Sequence, residues 1–195
     1  MCLGDYIDRG PDSKQVLDFL IRRQADQGAH FVCLRGNHEE MLLRAADKQR
    51  SDRDLMTWWG NGGEATLDSY GVDDPSDLPA EHLDWMRSLP LHTWDAHRVF
   101  VHAGVRPGIA LSSQTVEDLL WIREPFLSSA ESHGAFVVHG HTPTPGRKPD
   151  LWPNRVNIDT GAYFGGPLTA AVFSDENRAP LFFVNDKGEI SAPAE

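Results

Sequence analysis

The stretch GDYIDRG at residues 4–10, followed by HFVCLRGNHE at 30–39, decides how this chain is read. In each, a short apolar run ends in a glycine-containing loop dense with polar side chains. Residues 2–5 read as the end of a strand that delivers Asp5 into a loop, and HFVCL reads as a second buried strand. Between them, Asp12 or Ser13 caps a helix over about 13–26, with Val16, Leu17 and Leu20 on one face. A further helix over about 39–47 carries Met41, Leu42 and Ala45. Strand–helix–strand–helix order implies parallel strands with right-handed crossovers. Ligands then sit beyond the carboxyl ends of the strands, where both polar clusters fall.

The middle of the chain is more helical, over about 52–58, 64–70 and 79–88, and is punctuated by WGNGG at 59–63. RVFVHAG at 98–104 is a strand running into a loop. SSQTVEDLLWIRE gives a capped helix from about residue 113 to near Arg123, and AFVVHGHTP is another strand with a polar end. RVNIDTGA, LTAAVFS and PLFFVND are short strands with hairpin-like spacing and a DKG turn at 186–188. The pattern predicts an α/β fold in which two packed sheets carry helices outside, as one domain over 1–195.

Composition narrows the function. A formal charge of −11 argues against a nucleic-acid polymer as partner, since such surfaces are basic. It leaves a phosphate substrate open, because local arginines and metal set the field in a cleft. Cys2 and Cys33 are the only thiols, too few for a disulfide framework, so a reducing cytoplasm is expected. No apolar run is long enough to span a bilayer, and no membrane partner is expected.

The polar clusters carry the chemistry. Asp5, at a strand end after Gly4, is a carboxylate able to bind one divalent ion or bridge two. Asn37 is an oxygen ligand that adds no charge. His102 in VHAG and His141 in GHTP resemble strand-end imidazole ligands, whereas His139 suits packing or support behind a ligand. Such donors suit Mn, Fe, Zn, Ni or Co without choosing among them. His38, beside Asn37, points elsewhere and is placed to give a proton to a leaving oxygen, with Asp8 orienting its ring and raising its pKa. The alternative for Asp8 is an ordinary Asp-Arg-Gly-Pro turn. Arg9 offers a planar fork for phosphate oxygens, and Arg123 a second contact unless it only offsets a helix dipole. Asp159, in NIDTG, either hydrogen-bonds a ligating imidazole or forms an Asx-turn.

Taken in order, GDYIDRG, GNHE, WGNGG, HAG (102–104), WIRE (121–124), GHTP (140–143) and NIDTGA (157–162) resemble the phosphoprotein phosphatase family of calcineurin-like metallophosphoesterases. The bacterial Ser/Thr protein phosphatase-like members are the most similar. The resemblance implies a four-layer α/β/β/α fold and a dinuclear metal centre, most often holding manganese. It casts Asp5 as the bridging carboxylate, and Asn37, His102 and His141 as the other ligands of the second metal. His38 with Asp8 becomes the general acid pair, and Arg9 with Arg123 the phosphate clamp. It implies hydrolysis of phosphomonoesters on phosphorylated proteins or small molecules, by direct attack of a metal-bound hydroxide. A dinucleoside tetraphosphatase or other nucleotide phosphoesterase is the alternative enzyme. A weak or inactive binding module is the alternative of a different class.

The family's opening motif, GDxHG, does not occur in these 195 residues. The expectation is an N-terminally incomplete domain, missing the first strand–helix unit, with some tens of residues and that motif before Met1. Failing that, one tightly held metal is expected, on Asp5, Asn37, His102 and His141.

Overall fold

A computed structural model of the chain describes residues 1–193. The chain divides into two compact units, Met1–Pro90 and a second beginning at Leu91. The first unit is helical: α1 (Ser13–Gln27), α2 (Asn37–Ala45), α3 (Asp52–Trp58), α4 (Glu64–Tyr70) and α5 (Ala80–Ser88). A π-helical turn, Trp59–Gly63, joins α3 to α4. The two strands expected at 2–5 and 30–34 shrink to one parallel bridge between Cys2 and Cys33. The reason is local. Gly4, Asp5, Asp8 and Arg9 have φ of 103°, 58°, 72° and 63°, so the backbone leaves the extended region at once and no ladder can continue.

The start of α1 also differs from expectation. Neither Asp12 nor Ser13 caps it with a side-chain hydrogen bond. The Ser13 hydroxyl is buried instead, accepting from Asp8 N at 3.2 Å and lying 3.1 Å from Thr66 Oγ1. Leu17 and Leu20 face inward while Val16 is exposed. Leu20, Cys33 and Leu89 form a small core with Tyr6, Phe31 and Trp85 packed against it.

A buried carboxylate joins the two polar loops of this unit. Glu39, with no exposed surface, accepts from Tyr6 N at 2.7 Å through Oε1, and from Asp5 N at 2.9 Å and Gly36 N at 2.8 Å through Oε2. Burial, then the nearby Asp5 charge, pushes its pKa up to about 6, while the three donors oppose that rise. The loops touch so closely that a Cβ on Gly36 would lie 2.2 Å from Asp5 Oδ1 and 2.5 Å from Asp5 N. Only glycine fits there.

The second unit holds two sheets. The larger has the order β1 (His92–Trp94), β2 (Arg98–Val101), β3 (Phe136–His139), β5 (Arg155–Asn157), β4 (Asp150–Trp152). Its inner strands β2, β3 and β5 are parallel, and the edge strands β1 and β4 are antiparallel. Every residue of β2, β3 and β5 is buried, as parallel strands in a covered sheet require. The three-residue edges β1 and β4 lack a readable apolar period and were not expected. The strand in RVNIDTGA joins this sheet rather than the hairpin set. The second sheet is an antiparallel meander of β6 (Thr169–Val172), β7 (Phe182–Asn185) and β8 (Ile190–Ser191), with Gly188 of the DKG turn at φ 75°. Helix α6 (Val116–Trp121) is capped by Thr115, whose Oγ1 accepts from Asp118 N at 3.1 Å. Val99, Val101, Val137, Leu119, Ile122 and Phe126 form the core beneath it. Among the described residues, no helix is long and apolar enough to cross a membrane.

Two substitutions test this frame. A Cβ at Gly104 would lie 2.3 Å from Phe126 Cδ1 and 2.9 Å from Ile122 Cγ2. Both side chains are buried, so Gly104→Ala should destabilise by about 1–3 kcal/mol through overpacking, read as a lower urea midpoint at unchanged slope. An unshifted midpoint would show that the ring moves freely. Glu39→Gln keeps shape but leaves an NH2 group facing backbone donors. Hydrogen bonds to a charged group contribute about 1.5–3 kcal/mol each, so a loss of at least about 3 kcal/mol is expected in the same assay. A loss below about 1 kcal/mol would mean the three bonds do not hold the loops together.

Candidate active site

In the first unit the DRG turn and the start of α2 bring Asp8 and His38 together. His38 Nδ1 lies 2.6 Å from Asp8 Oδ2, with 4% and 0% of the two side chains exposed. An ionised carboxylate only accepts, so the imidazole donates from Nδ1 and keeps Nε2 for other work. Asp8 is itself saturated with donors. Trp58 Nε1 reaches its two oxygens at 3.0 and 3.1 Å, and the Thr66 hydroxyl donates to Oδ1 at 2.7 Å. Thr66 Oγ1 in turn accepts from Asp8 N at 2.9 Å. Burial opposes the charged imidazole, but the Asp8 hydrogen bond and the Asp5 and Asp8 charges outweigh it, and the His38 pKa is raised.

Asp5 and Asn37 flank this pair. Asp5 Oδ1 accepts from His38 N at 3.2 Å, so its exposed carboxylate sits at the positive end of α2. Asn37 is the first residue of that helix and is buried. Arg9 is exposed, and its backbone N donates to Gly62 O at 3.0 Å. Gly62 has φ 99°, and a Cβ there would lie 2.6 Å from Arg9 Cγ. Gly62 of the WGNGG turn therefore has to be glycine because the DRG turn lies against it.

In the second unit the parallel register places His102 just past β2 and His141 just past β3, at one edge of the sheet. Gly140 N donates to His102 O at 2.8 Å, which binds the two loops. The rings are edge to face with centroids 5.1 Å apart, and each offers a ring nitrogen within 4.8 Å of the other. His102 is buried; His141 is half-buried, at φ 66°, with the Trp121 ring edge-on at 6.1 Å. Two imidazoles so close, one forced into the left-handed region, fit divalent-metal ligation. His139 is fully buried against Phe126, and burial followed by the Arg155 charge lowers its pKa to about 3. It is a neutral core group. Asp159 forms the Asx-turn, Oδ1 accepting from Gly161 N at 3.0 Å. Arg123 is exposed just after α6.

Sequence reading missed Trp58, Thr66 and Glu39. The GNHE motif displayed Glu39, but an acid in a first helical turn is ordinary enough to need no further account. In the pair Trp58-Trp59 the second seemed part of the glycine motif, whereas Trp58 is the one fully buried. A Cβ on Gly63 would lie 2.5 Å from its ring. That Thr66 faces Asp8 across the turn depends on a kink no periodicity reveals.

Known proteins resemble this chain over most of its length. The model of the calcineurin-like phosphoesterase family matches residues 1–180. Serine/threonine-protein phosphatase 1 of Salmonella typhimurium is 33% identical over 181 residues, covering 87% of this chain and 76% of the relative. An asymmetrical bis(5'-nucleosyl)-tetraphosphatase, PrpE, of Anoxybacillus flavithermus is 32% identical over 187 residues, covering 86% and 72%. Among solved structures, a putative diadenosine tetraphosphatase superposes with a TM-score of 0.64 at 22% identity, over 97% of this chain and 77% of that one, a likeness of fold. With its motifs, its α/β architecture and a match spanning nearly its whole length, the chain belongs to the calcineurin-like phosphoesterase family and is a metallophosphoesterase, a hydrolase that works with divalent metal.

Proposed function

We propose that this enzyme hydrolyses phosphomonoesters, including phosphoserine and phosphothreonine in proteins, with His38 as general acid. The observation that carries the proposal is the buried Asp8–His38 pair. A histidine whose Nδ1 is held by a carboxylate is fixed in orientation and stays protonated until its proton is needed at a leaving oxygen. Trp58 and Thr66 hold the carboxylate in turn, so the acid is preorganised through two layers of hydrogen bonds.

Asp5, Asn37, His102 and His141 are proposed to hold the metal, with manganese favoured by the resemblance and the cytoplasm as the place of action. Bound divalent ions would lower the pKa of water and offset the charge of the phosphoryl group. Arg9 and Arg123 are proposed to bind phosphate oxygens in bidentate fashion and to align phosphorus with the leaving group. His38 would then release its Nε2 proton to the departing alkoxide, and Asp8 would keep the resulting tautomer in place.

The second reading is hydrolysis of dinucleoside polyphosphates. It is favoured by the 32% identity to a tetraphosphatase, nearly that to the phosphatase. Steady-state rates on a phosphoserine peptide and on diadenosine tetraphosphate separate the two. A large preference for the dinucleotide would reverse the order. His38→Asn should leave metal content unchanged and lower turnover by about 10²–10⁴-fold, the usual contribution of an acid–base group. Asp5→Asn should lower metal content and rate together. If His38→Asn emptied the metal site, its assignment as acid would be wrong. Phosphate binding without turnover in metal-replete protein would favour the non-catalytic reading.

A further inference from the structure

Cys2 and Cys33 meet across the parallel bridge that joins the roots of the two polar loops. Both are free thiols, and the chain has no other cysteine. Cys2 N donates to Val32 O at 2.8 Å and Leu34 N donates to Cys2 O at 3.0 Å, which holds the pair in register. Cys2 packs against the small core formed by Leu20, Cys33 and Leu89. The two differ in access. Cys33 is fully buried, whereas Cys2 is half-buried and within reach of a small oxidant. A hydrogen bond from the Cys33 thiol lowers the Cys2 pKa to about 7 against the effect of burial, so Cys2 carries thiolate at neutral pH.

Neighbouring strands lie about 4.8 Å apart, which puts the two α-carbons within the span of a disulfide. Parallel neighbours carry their Cα–Cβ bonds side by side, so the β-carbons stay about as far apart as the strands. A disulfide holds β-carbons at about 3.8 Å, so closing one here draws the strands together by about 1 Å. A long ladder would resist that movement. Here Gly4 and Asp5 turn to positive φ directly after the bridge, and no ladder continues. Only Leu3 and Gly4 separate Cys2 from Asp5, whose N–H is one of the three donors on Glu39. A shift of Cys2 is therefore passed to the Asp5 loop and to the carboxylate that holds it.

We propose that Cys2 and Cys33 are a peroxide-sensitive redox pair, whose disulfide draws the two loop roots together and displaces Asp5. The Cys2 thiolate attacks one oxygen of a peroxide: an S–O bond forms, the O–O bond breaks, and the departing hydroxide leaves as water with the proton Cys2 gave up. The Cys33 sulfur then attacks the sulfenic sulfur of Cys2, forming S–S and breaking S–O. The hydroxide released takes the Cys33 proton and leaves as a second water. Cys33 holds that proton until then, because its hydrogen bond to Cys2 and its burial raise its pKa. The peroxide gains two electrons, one from each sulfur. A disulfide that strains its strands is readily reduced again by a dithiol, as a transient bond in a reducing compartment must be.

The test treats the full, metal-free chain with hydrogen peroxide and maps its peptides without reduction. The Cys2 and Cys33 peptides should be found linked. Calorimetry on the oxidised chain should show Mn²⁺ binding about tenfold more weakly, as when a group supporting a ligand is disturbed. Dithiothreitol should reverse both changes. Cys2→Ser and Cys33→Ala, treated alike, should form no link and keep their own untreated affinity, which separates the disulfide from oxidation elsewhere. Cys2→Ser, at the half-buried position, serves if Cys33→Ala does not fold. Cys2 driven to sulfinic acid while Cys33 stays a free thiol would overturn the pair. Linked chain with an affinity changed by less than about twofold would overturn the displacement of Asp5. If the reduced chain binds no Mn²⁺, the metal reading fails, and hydrogen exchange at the Asp5 and Tyr6 amides decides instead. Faster exchange that dithiothreitol reverses supports the proposal, and unchanged exchange overturns it.

Discussion

A single buried carboxylate holds the first unit's candidate residues in place. Glu39 accepts three backbone N–H groups, two from the GDYIDRG loop and one from the loop before α2. Those loops share only one strand bridge, so no sheet ladder keeps them in register. Glu39 replaces the missing ladder. Its charge is costly to bury, and the three donors repay that cost only when both loops are in position. Asp5 therefore arrives at the N-terminus of α2, where His38 is hydrogen-bonded to Asp8.

Asp8 shows how strain and satisfaction coexist. Three non-glycine residues of the loop sit at positive φ, an arrangement that persists only where the surroundings over-determine it. Here the surroundings are Trp58, Thr66, Ser13 and Gly62 of the π-helical turn. Each satisfies a polar atom or makes room for one. The result is a histidine whose protonated form is favoured despite burial. In an acidic chain this is local chemistry, set within a few ångströms rather than by net charge.

The second unit reaches its site by a different route. There the parallel register does the positioning, because neighbouring parallel strands end at one edge. His102 and His141 each follow an entirely buried strand, and the bond from Gly140 to His102 couples the loops. His139, two residues before His141, would share its face if the strand ran on, but β3 ends at His139 and His141 sits at φ 66°, so the two rings part. The His139 side chain faces the core against Phe126 and is neutral for that reason.

Much of this was legible in the sequence. Glycine-bounded polar loops after apolar runs located every candidate residue except Arg123, since such loops occur where strands or helices end. The helices expected over 52–58 and 64–70 are found at those bounds. The pairing of His38 with Asp8 was readable from residue types, because an imidazole beside a helix start needs a carboxylate to act as an acid. Only tertiary structure decided that strands 2–5 and 30–34 would collapse to one bridge, because positive φ at Asp5 is not encoded in its chemistry. Only tertiary structure chose Trp58 over Trp59 as the donor to Asp8, and Glu39 as the link between loops. Those choices depend on distances between segments far apart in the chain. Sequence periodicity reports which face of an element is buried, not what that face meets.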